Sequence, residues 1–158
     1  MLSNGIVAST FPDVLLASIP QTAPFRFVDR VIEIDEHRVK AAYRFRGDEF
    51  FYAGHFRDDP ITPGVILLEA MAQGGVVLHA AYLSAKGSDL PATGALRTML
   101  TNAEFEIHRP VVPPQSVTIC GELLTWRARR IRSKVQMFDE KNELLATATI
   151  AAMGVQIA

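Results

Sequence analysis

The feature that most constrains this chain is a long apolar stretch, residues 63–84, which contains a single carboxylate, Glu69. Thr62 is predicted as the N-cap of a helix, and Pro63 suits its first position because proline lacks an N–H group. Gly87 lies just beyond the predicted end of the helix, where glycine is a common stop. At about 1.5 Å per residue, such a helix spans roughly 33 Å, the width of a small domain. A helix that is apolar all round is predicted to be the buried centre of a fold.

The same stretch raises the alternative of a membrane span, because it is long and apolar enough to cross a bilayer. Glu69, Gln73 and His79 oppose that alternative, since a carboxylate near the middle of a spanning helix costs a few kcal/mol. Two successive glycines, Gly74 and Gly75, would instead allow a strand or a second helix to approach closely. We therefore predict a central core helix and no membrane partner.

The composition is that of one globular domain, residues 1–158. A chain of 158 residues, 49% apolar and 21% charged, is not disordered and can bury about 70% of its unfolded surface. A net charge of −1 gives no general argument for nucleic acid or an anionic membrane. The lone Cys120 cannot form an intramolecular disulfide, and no signal peptide is recognised, so we expect a cytoplasmic protein. Residues 1–20 form an N-terminal segment, with a short helix predicted at 14–19.

Strand patterns lie on both sides of the predicted helix. Residues 25–34 are rich in β-branched and aromatic side chains, and residues 38–46 alternate between apolar and polar, which together indicates a hairpin. Gly121 is a candidate β-bulge within the strand predicted at residues 116–126. Four further strands are predicted at residues 103–109, 116–126, 131–138 and 144–153. The order predicts an α+β fold in which a curved antiparallel β-sheet wraps around one long central α-helix.

Four motifs carry a resemblance to a known family. G-H-F-R-D-D-P-I-T-P-G occupies residues 54–64, and V-I-L-L-E-A-M-A-Q follows without a gap. P-F-R-F-V-D-R occupies residues 24–30, and H-R-P-V-V-P occupies residues 108–113. Over about residues 19–153 the chain resembles the hot-dog-fold 3-hydroxyacyl-[acyl-carrier-protein] dehydratases. A glutamate after the G-H-F motif is similar to the FabZ-type branch, whereas the FabA-type branch carries aspartate.

The resemblance implies that His55 and Glu69 are catalytic. Removing water from a 3-hydroxyacyl thioester, to give a trans-2-enoyl thioester, needs a base for the C2 proton and an acid for the departing hydroxyl. Neutral His55 would be the base, and Glu69 would be the acid or hold the leaving water. The backbone N–H of Gly64 matches the family's position for binding the thioester carbonyl. Gln73, one helical turn after Glu69, would orient that carboxyl group.

The resemblance also implies partners. The family draws His and Glu from opposite subunits of a homodimer, so we expect composite sites, and a hexamer built as a trimer of dimers remains open. The substrate would be an acyl chain on the phosphopantetheine arm of an acyl carrier protein, in fatty-acid synthesis or a related polyene or polyketide-like route. Five basic residues around one turn are a candidate docking patch for that acidic carrier, with a solvated hairpin tip as the alternative. They are Arg127, Arg129, Arg130, Arg132 and Lys134.

No cofactor, metal or nucleic acid is predicted. Asp58 and Asp59 lie close to His55, but adjacent loop carboxylates are commoner as turn or capping residues than as metal ligands. One short basic turn without interleaved aromatic residues is a poor footprint for nucleic acid. Two alternative functions stay open: a hot-dog acyl thioesterase and a non-catalytic acyl-binding protein. The G-H-F histidine argues against the first, and the presence of both His55 and Glu69 argues against the second.

Overall fold

A computed structural model describes residues 11–86 and 96–156. The elements are α1 (Phe11–Ser18), β1 (Arg30–Ile34), β2 (Arg38–Phe45), the central helix (Gly64–Lys86), β3 (Leu96–Ile107), β4 (Gln115–Arg127), β5 (Arg130–Phe138) and β6 (Leu144–Gln156). The six strands form one sheet in the order β1-β2-β4-β5-β6-β3, with every neighbouring pair antiparallel. The central helix packs against that sheet, which confirms the predicted α+β architecture.

The central helix is the core of the fold. Of the apolar stretch of this helix that is long enough to cross a membrane, 72% is buried inside the fold. Leu67, Met71 and Leu78 are fully buried, with at most 1% of their surface exposed. The sheet therefore covers the apolar surface that raised the membrane alternative.

The middle of the central helix is not α-helical, which the sequence did not predict. Gln73–Val77 forms a π-helical turn between two α-helical segments, Gly64–Ala72 and Leu78–Lys86. The helix extends at least to Lys86, past the predicted end at about residue 84, and the predicted stop at Gly87 lies outside the described residues. A π-turn inside an α-helix widens the helix locally by one residue and is often found at functional sites.

Glycines allow the closest approach between the helix and the sheet. A Cβ atom added to Gly121 would lie 2.4 Å from the carbonyl oxygen of Gly75. A Cβ atom on Gly74 would lie 3.0 Å from Ile119, and one on Gly75 would lie 2.7 Å from Val135, so both glycines allow the close approach of strands that was predicted. The prediction of a bulge at Gly121 was wrong. The pairing of β4 with β5 shifts between Leu123 and Thr125 instead.

The first strand is shorter than predicted. β1 begins at Arg30, and residues 25–29 are not part of it. The main-chain groups of Phe25 and Phe27 bond to the side chain of Gln73. Because these groups already have a buried partner, the segment forms no continuous ladder with β2 before Arg30.

The start of the central helix also differs from the prediction. Pro63 occupies the N-cap position, with a ψ angle of 136°, and Gly64 is the first helical residue. Thr62 is not the cap, because its buried hydroxyl oxygen lies 2.6 Å from the hydroxyl oxygen of Tyr52. The helix therefore begins without a side-chain cap.

The remaining elements agree with the predicted pattern but differ in length. α1 begins at Phe11, so Asp13 lies within its first turn. β3 begins at Leu96 and β6 continues to Gln156, beyond the predicted strands at 103–109 and 144–153. These two long strands pair with each other, and β3 is one edge of the sheet.

Candidate active site

His55 is half-buried in the loop between β2 and the central helix. Its Nδ1 atom lies 2.8 Å from the carbonyl oxygen of Ile61. A carbonyl oxygen only accepts hydrogen bonds, so we assign the proton to Nδ1 and let it donate to Ile61. In the neutral ring Nε2 is then unprotonated and available to accept a proton, which is what a general base requires.

The loop is folded tightly around this histidine. The main-chain N–H of Ile61 donates to the carbonyl oxygen of His55 at 3.0 Å, so His55 and Ile61 are joined twice. The ring of Phe56 stacks on the imidazole, with the ring centroids 4.2 Å apart, and the peptide bond between His55 and Phe56 is cis. Phe56 and Asp59 exchange two main-chain hydrogen bonds, which places Asp59 in a turn.

Glu69 is half-buried on the central helix, one turn before the fully buried Gln73. The Nε2 atom of Gln73 donates to Oε1 of Glu69 and to the carbonyl oxygen of Phe25, both at 2.9 Å. The Oε1 atom of Gln73 accepts the main-chain N–H of Phe27 at 2.7 Å. This pattern fixes which end of the amide donates. Within the described residues, Oε2 of Glu69 forms no hydrogen bond and is available to a substrate.

Gly64 lies at the positive end of the central helix. The N–H groups of Ile66 and Leu67 both donate to the carbonyl oxygen of Pro63. The N–H of Gly64 precedes the first hydrogen bond within the helix, so it can bind an oxygen atom on which negative charge develops. A Cβ atom at this position would lie 2.7 Å from Cδ1 of Ile107, so a larger residue would disturb the end of β3.

The basic residues lie on the hairpin that joins β4 and β5. Ala128 and Arg129 have φ angles of 49° and 62°, which is typical of the two-residue turn of a tight hairpin. Arg127, Arg129, Arg130, Arg132 and Lys134 are all exposed, and within the described ranges none forms an ion pair. We call these five residues the basic hairpin.

The basic hairpin is far from Gly64 within one chain. Arg130 of the basic hairpin pairs with Met153 of β6. Ile107, whose side chain lies beside Gly64, pairs with Ala146 of β6. The two positions are seven residues apart on β6, or about 23 Å at 3.3 Å per residue. The hairpin and the N-terminus of the central helix thus lie at opposite ends of the strands.

Comparison with known proteins places the chain in a family. A family model described as FabA-like domain matches residues 19–146. This chain belongs to the FabA-like family. A protein named 3-hydroxyacyl-[acyl-carrier-protein] dehydratase FabZ, from Thermus thermophilus, is 37% identical over 142 residues, covering 89% of this chain and 95% of that protein. The FabZ-type resemblance inferred from the motifs is thereby confirmed.

Solved structures with a similar backbone confirm the predicted hot-dog fold. A dehydratase heterocomplex from Xenorhabdus doucetiae matches with a TM-score of 0.76 and 15% identity, covering 95% of this chain and 93% of that chain. A thioesterase from Haemophilus influenzae matches with a TM-score of 0.54 and 12% identity, covering 80% and 78%. At such identities the likeness concerns the fold alone, and the same fold carries more than one activity.

Sequence reasoning missed the groups that hold His55 and Glu69 in place. The carbonyl oxygens of Ile61 and Phe25 and the N–H of Phe27 are main-chain atoms, so no side-chain type marks them. In residues 11–86 and 96–156, which include Asp58 and Asp59, no group of three or more His, Cys, Asp or Glu side chains converges as metal ligands do.

Proposed function

We propose that this FabA-like protein dehydrates 3-hydroxyacyl thioesters carried on acyl carrier protein, giving trans-2-enoyl thioesters. The observation that carries the proposal is the 2.8 Å contact between Nδ1 of His55 and the carbonyl oxygen of Ile61. From it we assign the proton to Nδ1, so that Nε2 of the neutral ring can accept one. The Thermus relative is named for the same reaction. A cytoplasmic location and a role in fatty-acid or a related polyene or polyketide-like synthesis are part of the proposal.

Each proton has a place in this reaction. Nε2 of His55 takes a proton from C2 of the substrate, and the electron pair of that C–H bond forms the C2–C3 double bond. The C3–O bond breaks, and Glu69 gives its proton to the departing hydroxyl, which leaves as water. Negative charge that develops on the thioester oxygen is stabilised by the N–H of Gly64. The enzyme regains its starting state when the proton on His55 returns to Glu69 through solvent.

The active unit in this proposal is a homodimer in which His55 of one subunit faces Glu69 of the other. β3 supports it, because this strand of twelve residues is an edge of the sheet within the described part of the chain, and the main-chain groups of an edge strand can pair with a second copy. Met99, Leu100 and Ile107 on the same strand are exposed apolar side chains. Further assembly of dimers into a hexamer is compatible with the proposal and is not required by it.

A two-fold dimer through β3 would also explain the position of the basic hairpin. Antiparallel pairing of two β3 strands brings the beginning of one beside the end of the other. The hairpin lies at the beginning of β3 and Gly64 lies at its end. The basic hairpin of one subunit would then lie at the same end of the paired sheets as the active site of the other subunit. There it could bind the acidic surface of the carrier protein.

Mass spectrometry of acyl carrier proteins with 3-hydroxyacyl chains of graded length tests the proposal. We expect loss of water from the acyl group, without added metal or nucleotide, and hydration of the enoyl product in reverse. His55→Ala and Glu69→Gln should each nearly abolish the conversion. The matched controls His37→Ala and Glu122→Gln change exposed residues of the same types and should keep wild-type rates.

The same measurement separates the alternatives. A thioesterase would release free acid and leave the carrier with a free thiol, and a non-catalytic acyl-binding protein would leave the substrate unchanged. Wild-type conversion by either the His55 or the Glu69 variant would disprove the mechanism.

A further inference from the structure

Two buried hydroxyl groups lie on either side of His55 in the chain. The hydroxyl oxygens of Tyr52 and Thr62 are 2.6 Å apart, and the two residues are only 4% and 3% exposed. Burying a hydroxyl group is costly unless it forms a hydrogen bond, so each of the two compensates the other. The reaction proposed above uses neither of them.

The Thr62 end of this pair leads directly to the imidazole. The N–H of Thr62 donates to the carbonyl oxygen of Val111 at 2.9 Å. The same peptide group contains the carbonyl of Ile61, which accepts the Nδ1–H of His55. Because a peptide group is planar, holding its N–H also fixes the direction of its carbonyl oxygen.

The Tyr52 end reaches His55 through the main chain. The carbonyl oxygen of Tyr52 accepts the main-chain N–H of His55 at 3.3 Å. The hydroxyl pair therefore closes the loop from residue 52 to residue 62 into a ring that contains His55 and both of its hydrogen bonds to Ile61.

We propose that the Tyr52–Thr62 hydroxyl pair positions His55, by holding the peptide group between Ile61 and Thr62 so that its carbonyl keeps the imidazole in the Nδ1–H tautomer. Without the pair, that peptide group keeps its N–H bond to Val111 but can tilt about it, so its carbonyl oxygen holds Nδ1 less firmly and the imidazole then also populates the tautomer with a proton on Nε2. That tautomer cannot accept a proton from the substrate. Tyr52 and Thr62 are positioning residues, and only the kinetic consequence rests on the proposed function.

Single hydroxyl deletions test the kinetic consequence. Thr62→Val and Tyr52→Phe keep the shape of the side chains, and each should lower kcat by about tenfold while KM changes little, since misplaced catalytic groups lose rate rather than binding. Thr62→Ser keeps the hydroxyl and should retain nearly wild-type kcat. The double variant should be no slower than the slower single variant, because either deletion already breaks the pair.

The tautomer of His55 is the readout that a merely structural role would not change. We expect ¹⁵N NMR of imidazole-labelled protein, assigned with the His55→Ala variant, to show a protonated Nδ1 and a bare Nε2 in the wild type. Thr62→Val and Tyr52→Phe should show a mixture of tautomers. Ser133→Ala is the matched control, because Ser133 is fully buried on β5 and its hydroxyl has no hydrogen-bond partner in the described structure.

The outcomes decide the inference separately from the proposed function. An unchanged tautomer in both deletion variants, or independent losses of kcat that multiply in the double variant, would overturn it. If the wild type did not dehydrate any substrate, the proposed function would fail, and the NMR result alone would then decide whether the pair positions His55.

Discussion

The side-chain amide of Gln73 donates to Oε1 of Glu69 and accepts the main-chain N–H of Phe27, so one buried residue joins the proposed acid to the segment before β1. Both ends of the amide are occupied, which leaves it a single orientation. The direction of the Glu69 carboxyl group thus depends on residues that lie more than forty positions away in the chain.

Replacing Gln73 should therefore affect stability and activity together. Gln73→Met has a similar shape but leaves the N–H of Phe27 without its partner, so we expect the free energy of unfolding to fall by about 1–3 kcal/mol. We expect kcat to fall about tenfold because Glu69 loses its support. Urea denaturation and steady-state kinetics measure the two effects. Gln136→Met, on a half-buried glutamine of β5, is the control and should change neither.

Composite sites predict recovery of activity in mixed dimers. When inactive His55→Ala and Glu69→Gln subunits are unfolded together and refolded, half of the dimers should be mixed. Each mixed dimer contains one site with both wild-type residues, so activity should return to about a quarter of the wild-type value. Refolding either variant alone is the control. An absence of recovery in verified mixed dimers would mean that each site comes from one chain.

Charge reversal on the basic hairpin should weaken binding of the carrier protein. Arg129→Glu combined with Arg130→Glu should raise KM for carrier-bound substrates at least about tenfold at low salt, with a smaller effect at high salt, where such interactions are screened. KM for a small thioester without the carrier should not change. Lys141→Glu, an exposed residue on the β5–β6 turn, is the matched control. An equal effect on both substrates would contradict docking at the hairpin.

The contact between Gly75 and Gly121 should tolerate no side chain. Gly121→Ala would place its Cβ 2.4 Å from the carbonyl oxygen of Gly75, so we expect about 1–3 kcal/mol of lost stability. Gly54→Ala is the control for stability, because nothing lies within 4 Å of its added Cβ. Thermal unfolding of the two variants measures the difference, and equal melting temperatures would contradict the close contact.

Stability should fall in mild acid because of His79. This histidine is fully buried, its Nε2 lies 2.9 Å from the carbonyl oxygen of Asp35, and burial lowers its pKa from the ordinary 6.5. Below about pH 6.5 the unfolded chain binds a proton that the folded protein does not, so the free energy of unfolding falls by at most about 1.4 kcal/mol per pH unit. The titratable groups that act on His79 by their charge are Asp35, which raises its pKa, and His37, which lowers it.

Urea denaturation between about pH 5 and pH 8 measures this effect, since the change occurs near the histidine pKa range. His79→Gln should remove this part of the pH dependence. The exposed His37→Gln should change it only slightly, because the charge on His37 is the smallest of the causes that act on the pKa of His79. A pH dependence that is the same in His79→Gln and the wild type would show that another group is responsible.

Elements with a simple periodic pattern were predictable from the sequence. Alternation in β2 and β5 matches their alternating burial, and both strands were predicted to within one residue. The segment at 25–29 has the composition of a strand, yet its partner is the side chain of Gln73, which no local pattern indicates. The π-turn at Gln73–Val77 likewise depends on packing against the sheet, because glycines there suit several conformations.

The side chains of the candidate site were proposed from the sequence, but the groups that hold them in place could not be. His55, Glu69 and Gln73 are chemically distinctive and stand in a recognisable motif. The acceptor for His55 is a main-chain carbonyl, and the hydroxyl pair arises because Tyr52 and Thr62 meet across a folded loop. Such contacts depend on the course of the backbone, which the sequence motif does not describe.

The backbone contact between Gly75 and Gly121 has a consequence for substrate length. It lies six residues beyond Glu69, about 9 Å along the helix. A Cβ atom added to Gly121 would lie 2.4 Å from the carbonyl oxygen of Gly75, so no further atom fits between the helix and β4 there. An acyl chain that entered beside Glu69 could not pass between these two elements at this point. The limit is set by main-chain atoms, so exchanging neighbouring side chains would not remove it.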